Sequence, residues 1–276
     1  MLMIIAMLFV LGLALGSFVN ALVWRVYAQS KKVGKKNKDL SILKGRSMCP
    51  NCKHTLNSLD LVPVLSWVGL GGKCRYCKKL ISPQYPLVEL VTAGLFVASY
   101  TYWPVALQGT QVAIFALWLV MLVGLMALLV YDLRWQLLPN RIMYPLSVVA
   151  GAMAILTIAT AYSPLKALIN VILAIVVGGG IFYALFQVSK GKWIGGGDVK
   201  LGWLLGAVVG TPAKSVLLIF LASVLGTIVS LPLLSTKKLK RTSTIPFGPF
   251  LIVGAVIAYL YGAHIIHWYQ HTFLLY

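Results

Sequence analysis

The sequence predicts an all-α polytopic membrane protein, on three observations. Hydrophobic residues make up 60% of its 276 positions and charged ones only 11%. The apolar residues form runs along nearly the whole chain, many near the ~20 residues that cross ~30 Å of hydrocarbon. The runs do not alternate as barrel strands do, and a helix satisfies its own backbone hydrogen bonds in lipid. The expected architecture is about eight transmembrane helices, with one small cytoplasmic module between the first and second.

The runs lie at residues 2–24, 86–103, 111–131, 142–162, 166–188, 199–211, 214–232 and 246–263. With the N-terminus outside, the loops at 25–85, 132–141, 189–198 and 233–245 face the cytoplasm. They hold 13, 2, 3 and 4 Lys or Arg, counting Lys200 with its adjacent loop, and only Lys166 and Lys214 fall on the other side. That asymmetry sets the orientation by the positive-inside rule. It also explains the net charge of +19 as a surface facing anionic lipid headgroups. No nucleic-acid partner is expected, because the Lys-rich stretch 31–44 has no interleaved aromatics and follows a span. The first run lacks a positive leading region and its charges Arg25, Lys31 and Lys32 come after it, as in a retained helix. A signal cleaved near "ALG" at 14–16 is the alternative. The domain division is a first helix at 1–24, a cytoplasmic loop at 25–85 and a seven-helix membrane domain at 86–276.

All four cysteines lie in that loop, as Cys49-x2-Cys52, 21 intervening residues, and Cys74-x2-Cys77. Two such knuckles supply four thiolates to a tetrahedral Zn2+, which closes the coordination shell and makes the site structural. Two disulfides or a redox pair compete with this reading, and a loop facing a reducing cytosol weighs against them. The module has few apolar residues, so its fold is expected to depend on the metal. His54, beside the first knuckle, reads as a surface residue.

The chain has only five acids: Asp39, Asp60, Glu89, Asp132 and Asp198. Asp39 reads as a solvated charge. Asp60 either caps a turn or packs at the membrane surface, and Glu89 either anchors the interface or faces the bundle interior. Asp132, in "YDLRWQLLPN", follows the third run, and Asp198, in "WIGGGDVK", precedes the sixth; the charge-derived topology puts both on the cytoplasmic side. The sixth run has 13 residues and covers only about 20 Å, a shortness that marks binding sites in membrane proteins. Gly195, Gly196 and Gly197 then either form irregular backbone that lets a substrate peptide approach closely, or a turn before a helix capped by Asp198. Two carboxylates sharing one proton can activate water and protonate a leaving amine, which is peptide hydrolysis, and they titrate as a unit. His264, His267 and His271 share a helical face near the C-terminus, which reads as an interfacial tail, with a metal-binding face as the alternative.

Taken in order, "GSFVNALVWRV" at 16–26, the cysteine pairs with "DLVPVLSWVGLGGKCRYCKKLISPQYPLVEL" at 60–90, "DLRWQLLPN" at 132–140 and "GGGDVK" at 195–200 resemble the bacterial type IV prepilin peptidases, which are intramembrane aspartic proteases. The resemblance implies Asp132 and Asp198 as catalytic aspartates and the four cysteines as zinc ligands. It implies type IV prepilin and pseudopilin precursors as substrates, with a short basic leader ending in Gly, cut at the cytoplasmic face of the inner membrane. It further implies methylation of the new N-terminus from S-adenosyl-L-methionine. The loop carries no recognisable nucleotide-binding pattern, so the methyl-donor site is unassigned. Two other classes compete: an ion-coupled secondary transporter with Asp132 and Asp198 at a broken helix, and a noncatalytic scaffold for pilus or secretion assembly.

Overall fold

The computed structural model describes residues 1–31, 41, 45–235 and 246–273. Asp39, most of the Lys-rich stretch 31–44 and the basic residues of 236–245 lie outside the described residues. Among the described residues there are ten α-helices and no strand. The helices are α1 (Leu2–Ser30), α2 (Leu65–Gly69), α3 (Gln84–Thr101), α4 (Thr110–Trp135), α5 (Asn140–Ala159), α6 (Pro164–Ser189), α7 (Gly196–Val209), α8 (Pro212–Ser235), α9 (Gly248–Leu260) and α10 (Gly262–Phe273).

Each of the eight apolar runs is helical, in α1 and in α3 to α9. By length and composition, α1, α4, α5, α6 and α8 can cross a membrane, and α9 with α10, bent by 75° at their junction, adds a sixth if the pair is one broken span. The protein is thus a multi-pass helical membrane protein.

The chain divides into two compact units, residues 1–101 with 122–127, and residues 102–121 with 128–276. In the first, α1 lies along α3. A Cβ on Gly12 would stand 2.5 Å from the Ala93 Cα, and one on Gly16 would stand 2.6 Å from the Glu89 Cα. The two backbones therefore touch, which is how helices associate in lipid, where close packing takes the place of hydrophobic transfer. Polar side chains meet at this crossing, and Asn20 Oδ1 is buried there without a hydrogen-bond partner. Asn20 Nδ2 donates to the Gly16 and Tyr85 carbonyls at 3.3 and 3.1 Å. The buried Glu89 accepts the Val64 N–H at 2.7 Å. Glu89 thus faces the interior, and it holds a β-branched residue in left-handed backbone (φ +60°), a conformation that such residues keep only when their surroundings enforce it.

In the second unit α7 is the central element, packed against α5, α6, α8 and α9. Its 14 residues cover about 21 Å, and Val199, Leu201, Leu204, Leu205, Val208 and Val209 are all buried. A helix too short for the bilayer is tolerated when protein, not lipid, surrounds its ends. Gly202 and Gly206 let it meet α6 backbone to backbone: a Cβ at either would lie 2.5 Å from the Gly178 or the Ala174 carbonyl oxygen. The Ser215 hydroxyl donates to the same Ala174 carbonyl at 2.9 Å, tying α8 to α6. Gly210, in left-handed backbone (φ +71°), ends α7 by returning its N–H to the Gly206 carbonyl, and Pro212 opens α8, the usual division of labour between Gly and Pro at helix ends.

Candidate active site and metal centre

Three helix ends bring the acidic residues together. Asp132 sits in the last turn of α4, where Gln136, in left-handed backbone, closes the helix by donating its N–H to the Asp132 carbonyl at 2.8 Å. Asp198 sits in the first turn of α7. Both sequence readings, irregular backbone through the glycines and a turn before a helix capped by Asp198, are corrected: the cap position belongs to Gly195, and Gly196 and Gly197 are already helical. Tertiary packing overrides the poor helix propensity of glycine here; at Gly197 a Cβ would lie 3.2 Å from the Leu138 side chain. Asp198 is therefore the third helical residue, with its N–H on the Gly195 carbonyl at 3.1 Å and its carboxylate facing the Gly195 N–H. An acid in the first turn meets the positive end of the helix dipole.

The third end is that of α9. A Cβ on Gly248, its first residue, would stand 2.5 Å from Asp132 Oδ2 and 3.7 Å from Asp198 Oδ1. Those two oxygens consequently lie no farther apart than about 6.2 Å, the sum of the two distances, and the carboxylates feel each other's charge. Asp132 is only 4% exposed, while Asp198 is half-buried. The Gly248 N–H faces the Asp132 carboxyl, yet Oδ2 is buried without a hydrogen-bond partner. An unmatched buried carboxylate oxygen is costly unless something else completes it. A water or a substrate group between the two acids would do so. Nothing in the sequence reading singled out Gly248. Its only signal is the Gly-Pro step in "PFGPF", where an apolar run begins.

The cysteines gather in the first unit. Their four sulfurs lie within 4.8 Å of one another, and no other His, Cys, Asp or Glu group of three or more among the described residues could share a metal ion. Cys49 and Cys77 are 3.9 Å apart, Sγ to Sγ, and none of the four is in a disulfide. Four sulfurs at ~2.3 Å from a tetrahedral zinc ion would be about 3.8 Å apart, so the donor set fits that metal.

Two copies of one backbone turn build the site. Cys49 N donates to His54 O at 3.0 Å, Lys53 N to Cys49 O at 2.9 Å and Leu56 N to Ser47 O at 2.8 Å. Twenty-five residues on, Cys74 N donates to Lys79 O, Lys78 N to Cys74 O and Ile81 N to Gly72 O, at 2.9, 3.0 and 2.7 Å. Lys53 and Lys78 both take left-handed backbone at φ +57°.

Burial pushes the Cys49 thiol up to about 11. At Cys74 burial also acts upward, but the Cys77 and Tyr76 backbone N–H groups and the neighbouring thiols bring it down to about 7. The His54 ring lies tilted against Tyr76 at 3.7 Å between ring centroids and is exposed, as its surface reading required. Asp60 caps a turn, its carboxylate taking the Asn57 N–H at 3.2 Å. It also accepts from Arg75 Nε at 2.7 Å and the Tyr76 hydroxyl at 3.2 Å, which folds the connecting segment onto the second knuckle. Burial raises the Asp60 carboxyl, and these three donors together hold it below its ordinary value. The rings of His267 and His271 approach to 4.4 Å on α10, and among the described residues no third ligand joins them in a metal group.

Comparison with known proteins places both sites in one family. A model of the bacterial peptidase A24 N-terminal domain matches residues 10–103, the stretch with the cysteines. A model of the type IV leader peptidase family matches residues 119–231, the stretch with both aspartates. The chain belongs to the type IV leader peptidase family. A prepilin leader peptidase/N-methyltransferase of Aeromonas hydrophila is 32% identical over 98% of this chain and 94% of its own length. Proteins of the same description from Bacillus subtilis (strain 168), at 33% identity over 96% and 97%, and Pseudomonas aeruginosa, at 32% over 94% and 91%, are equally similar. No solved structure matches. Gly248 lies beyond the residues that the leader peptidase model covers.

Proposed function

We infer that this protein is a membrane aspartic endopeptidase that removes the short basic leader from type IV prepilins and pseudopilins and methylates the N-terminus it exposes. The observation that carries the reading is the approach of Asp132 and Asp198, 66 residues apart in sequence, to within about 6.2 Å around the first residue of α9. In this reading one carboxylate takes a proton from a water lying between them while that water attacks the scissile carbonyl. The other gives its proton to the leaving amine. The pair acts as a unit, so base and acid belong to neither residue alone. Gly195, Gly196 and Gly197 form the side along which the substrate backbone approaches, with no side chain to hold it off.

Cys49, Cys52, Cys74 and Cys77 hold a structural Zn2+ that fixes the cytoplasmic module of residues 25–85, between the first membrane span at 1–24, from which α1 continues to Ser30, and the membrane domain at 86–276. The methyl donor is S-adenosyl-L-methionine, and its site is separate from the aspartates. The protein resides in the bacterial inner membrane with its N-terminus outside and the aspartates toward the cytoplasm, where anionic headgroups screen a basic leader from the basic loops.

The test is cleavage of a prepilin-like peptide by the purified full chain, read by mass. Asp132→Asn and Asp198→Asn each lower the rate by at least about 10²- to 10⁴-fold, and the double variant loses little more, as groups acting together do. Both variants still methylate a pre-cleaved peptide when given the methyl donor. Full cleavage by folded Asp198→Asn protein would sink the peptidase assignment, and methylation lost with Asp132→Asn would count against separate sites.

A further inference from the structure

We propose that Gly248 is a positioning residue of the aspartate pair, whose missing side chain lets the Asp132 carboxyl keep the place from which it shares a water with Asp198. The proposal deepens the peptidase reading and rests on it.

The requirement for glycine here is steric. Gly248 is not among the residues in left-handed backbone, so its φ would admit any L-residue. What excludes a side chain is the space it would enter. A Cβ would stand 2.5 Å from Asp132 Oδ2 and 3.3 Å from its Cγ, with Asp198 Oδ1 at 3.7 Å. The position thus abuts the Asp132 carboxyl and borders on the other, where a reacting water and peptide bond must fit. A second feature points the same way. Gly248 opens a 13-residue helix, so its N–H belongs to the positive end of a dipole, and it lies against the Asp132 carboxyl, whose Oδ2 is buried without a hydrogen-bond partner. Pro249, the next residue, has no N–H to offer. Gly248 thus turns the positive end of α9 toward Asp132, which sits at the negative end of α4.

The same helix supplies an internal contrast. A Cβ on Gly254 would stand 2.8 Å from the Leu218 carbonyl oxygen, a backbone atom of α8, so substitution there must push two helices apart. A Cβ on Gly248 meets the end of a side chain, which can rotate out of the way without disturbing the fold. In Gly248→Ala the carboxyl has to retreat about 0.9 Å to reach the 3.4 Å at which ordinary contact begins. A displacement of about 1 Å at reacting groups costs about 10²-fold in rate.

The experiment measures peptide cleavage and thermal unfolding of the purified full chain as wild type, Asp198→Asn, Gly248→Ala, Gly254→Ala and Gly226→Ala. The last is a neutral control, because its Cβ would find only ordinary contacts at 3.5 Å or more. The expected result is Gly248→Ala with a wild-type unfolding temperature, a KM within about twofold and a kcat about 10²-fold lower, against a clear loss of thermal stability in Gly254→Ala. The proposal is overturned if Gly248→Ala keeps its kcat, raises KM alone, or unfolds as early as Gly254→Ala. A wild-type protein that cuts nothing, or an active Asp198→Asn, would remove the peptidase reading and this proposal together. An active wild type with an inactive Asp198→Asn and a fully active Gly248→Ala would remove this proposal alone.

Discussion

Replacing Gly206 by Ala adds one methyl group eight residues away from Asp198 on the same helix, and its effect can be worked from the seam between α6 and α7. The new Cβ would lie 2.5 Å from the Ala174 carbonyl oxygen and 2.9 Å from the Ile175 Cα. Neither atom can rotate away, because both belong to the backbone of α6. To reach ordinary contact at 3.4 Å, the helices must separate by about 0.9 Å. Overpacking of this kind costs about 1–3 kcal/mol, partly offset by the better helix propensity of Ala, about 1 kcal/mol at most. The separation does not stay local, since α7 is a single 14-residue helix that carries Asp198 at its other end. A shift near 1 Å at the carboxylate corresponds to about 10²-fold in cleavage rate. Gly180→Ala on α6, whose Cβ would meet only Val176 Cγ1 at 3.8 Å, should change neither stability nor rate. Thermal unfolding in detergent and cleavage kinetics on the same preparations test this. A Gly206→Ala protein as stable and as active as Gly180→Ala would refute the claim that this seam sets the position of Asp198.

Two further outcomes concern the cysteine module. Cys74→Ser should lower the metal content of the isolated protein from about one ion per chain to near zero and increase hydrogen exchange through residues 45–81, measured by elemental analysis and mass spectrometry. A metal-free wild type with two disulfides would contradict it. Asp60→Asn should loosen the 57–76 segment at neutral pH. Because the folded carboxyl lies below its ordinary value, the stability it supplies is fully present above about pH 4 and is lost as pH falls through the folded value. Hydrogen exchange in wild type and Asp60→Asn should therefore converge below about pH 4, and a gap that widened in acid would show the carboxylate is not what holds the segment.

How much of this was legible in the sequence depended on the kind of group that carries each part. The helices were readable because an apolar run of sufficient length has few alternatives in lipid. The cysteine cluster that could hold a metal ion was readable because a C-x2-C knuckle is a local structure. Its spacing fixes the geometry, and the two turns of 47–56 and 72–81 repeat each other bond for bond. Asp132 and Asp198 stood out as rare acids on one predicted face, although their approach is a tertiary fact that no spacing over 66 residues encodes. Where α7 begins was misread, because glycines signal a turn by propensity and propensity yields to packing. One partner of Glu89 was hidden for a related reason: the Val64 backbone N–H is a group every non-proline residue has.

Gly248 is the limiting case of that blindness. It contributes an N–H and an absence, and neither gives it a chemical signature in a chain with 25 glycines. Glycines with different roles look alike in sequence. Gly206 and Gly254 make room for a neighbouring helix's backbone, Gly210 turns the chain at positive φ, and Gly248 makes room for a carboxylate. Only the identity of the atom each missing Cβ would strike separates them. That atom also sets the consequence of substitution. Against a backbone atom the added methyl is felt as lost stability, and against the Asp132 carboxyl it is felt as lost turnover in a protein that still folds.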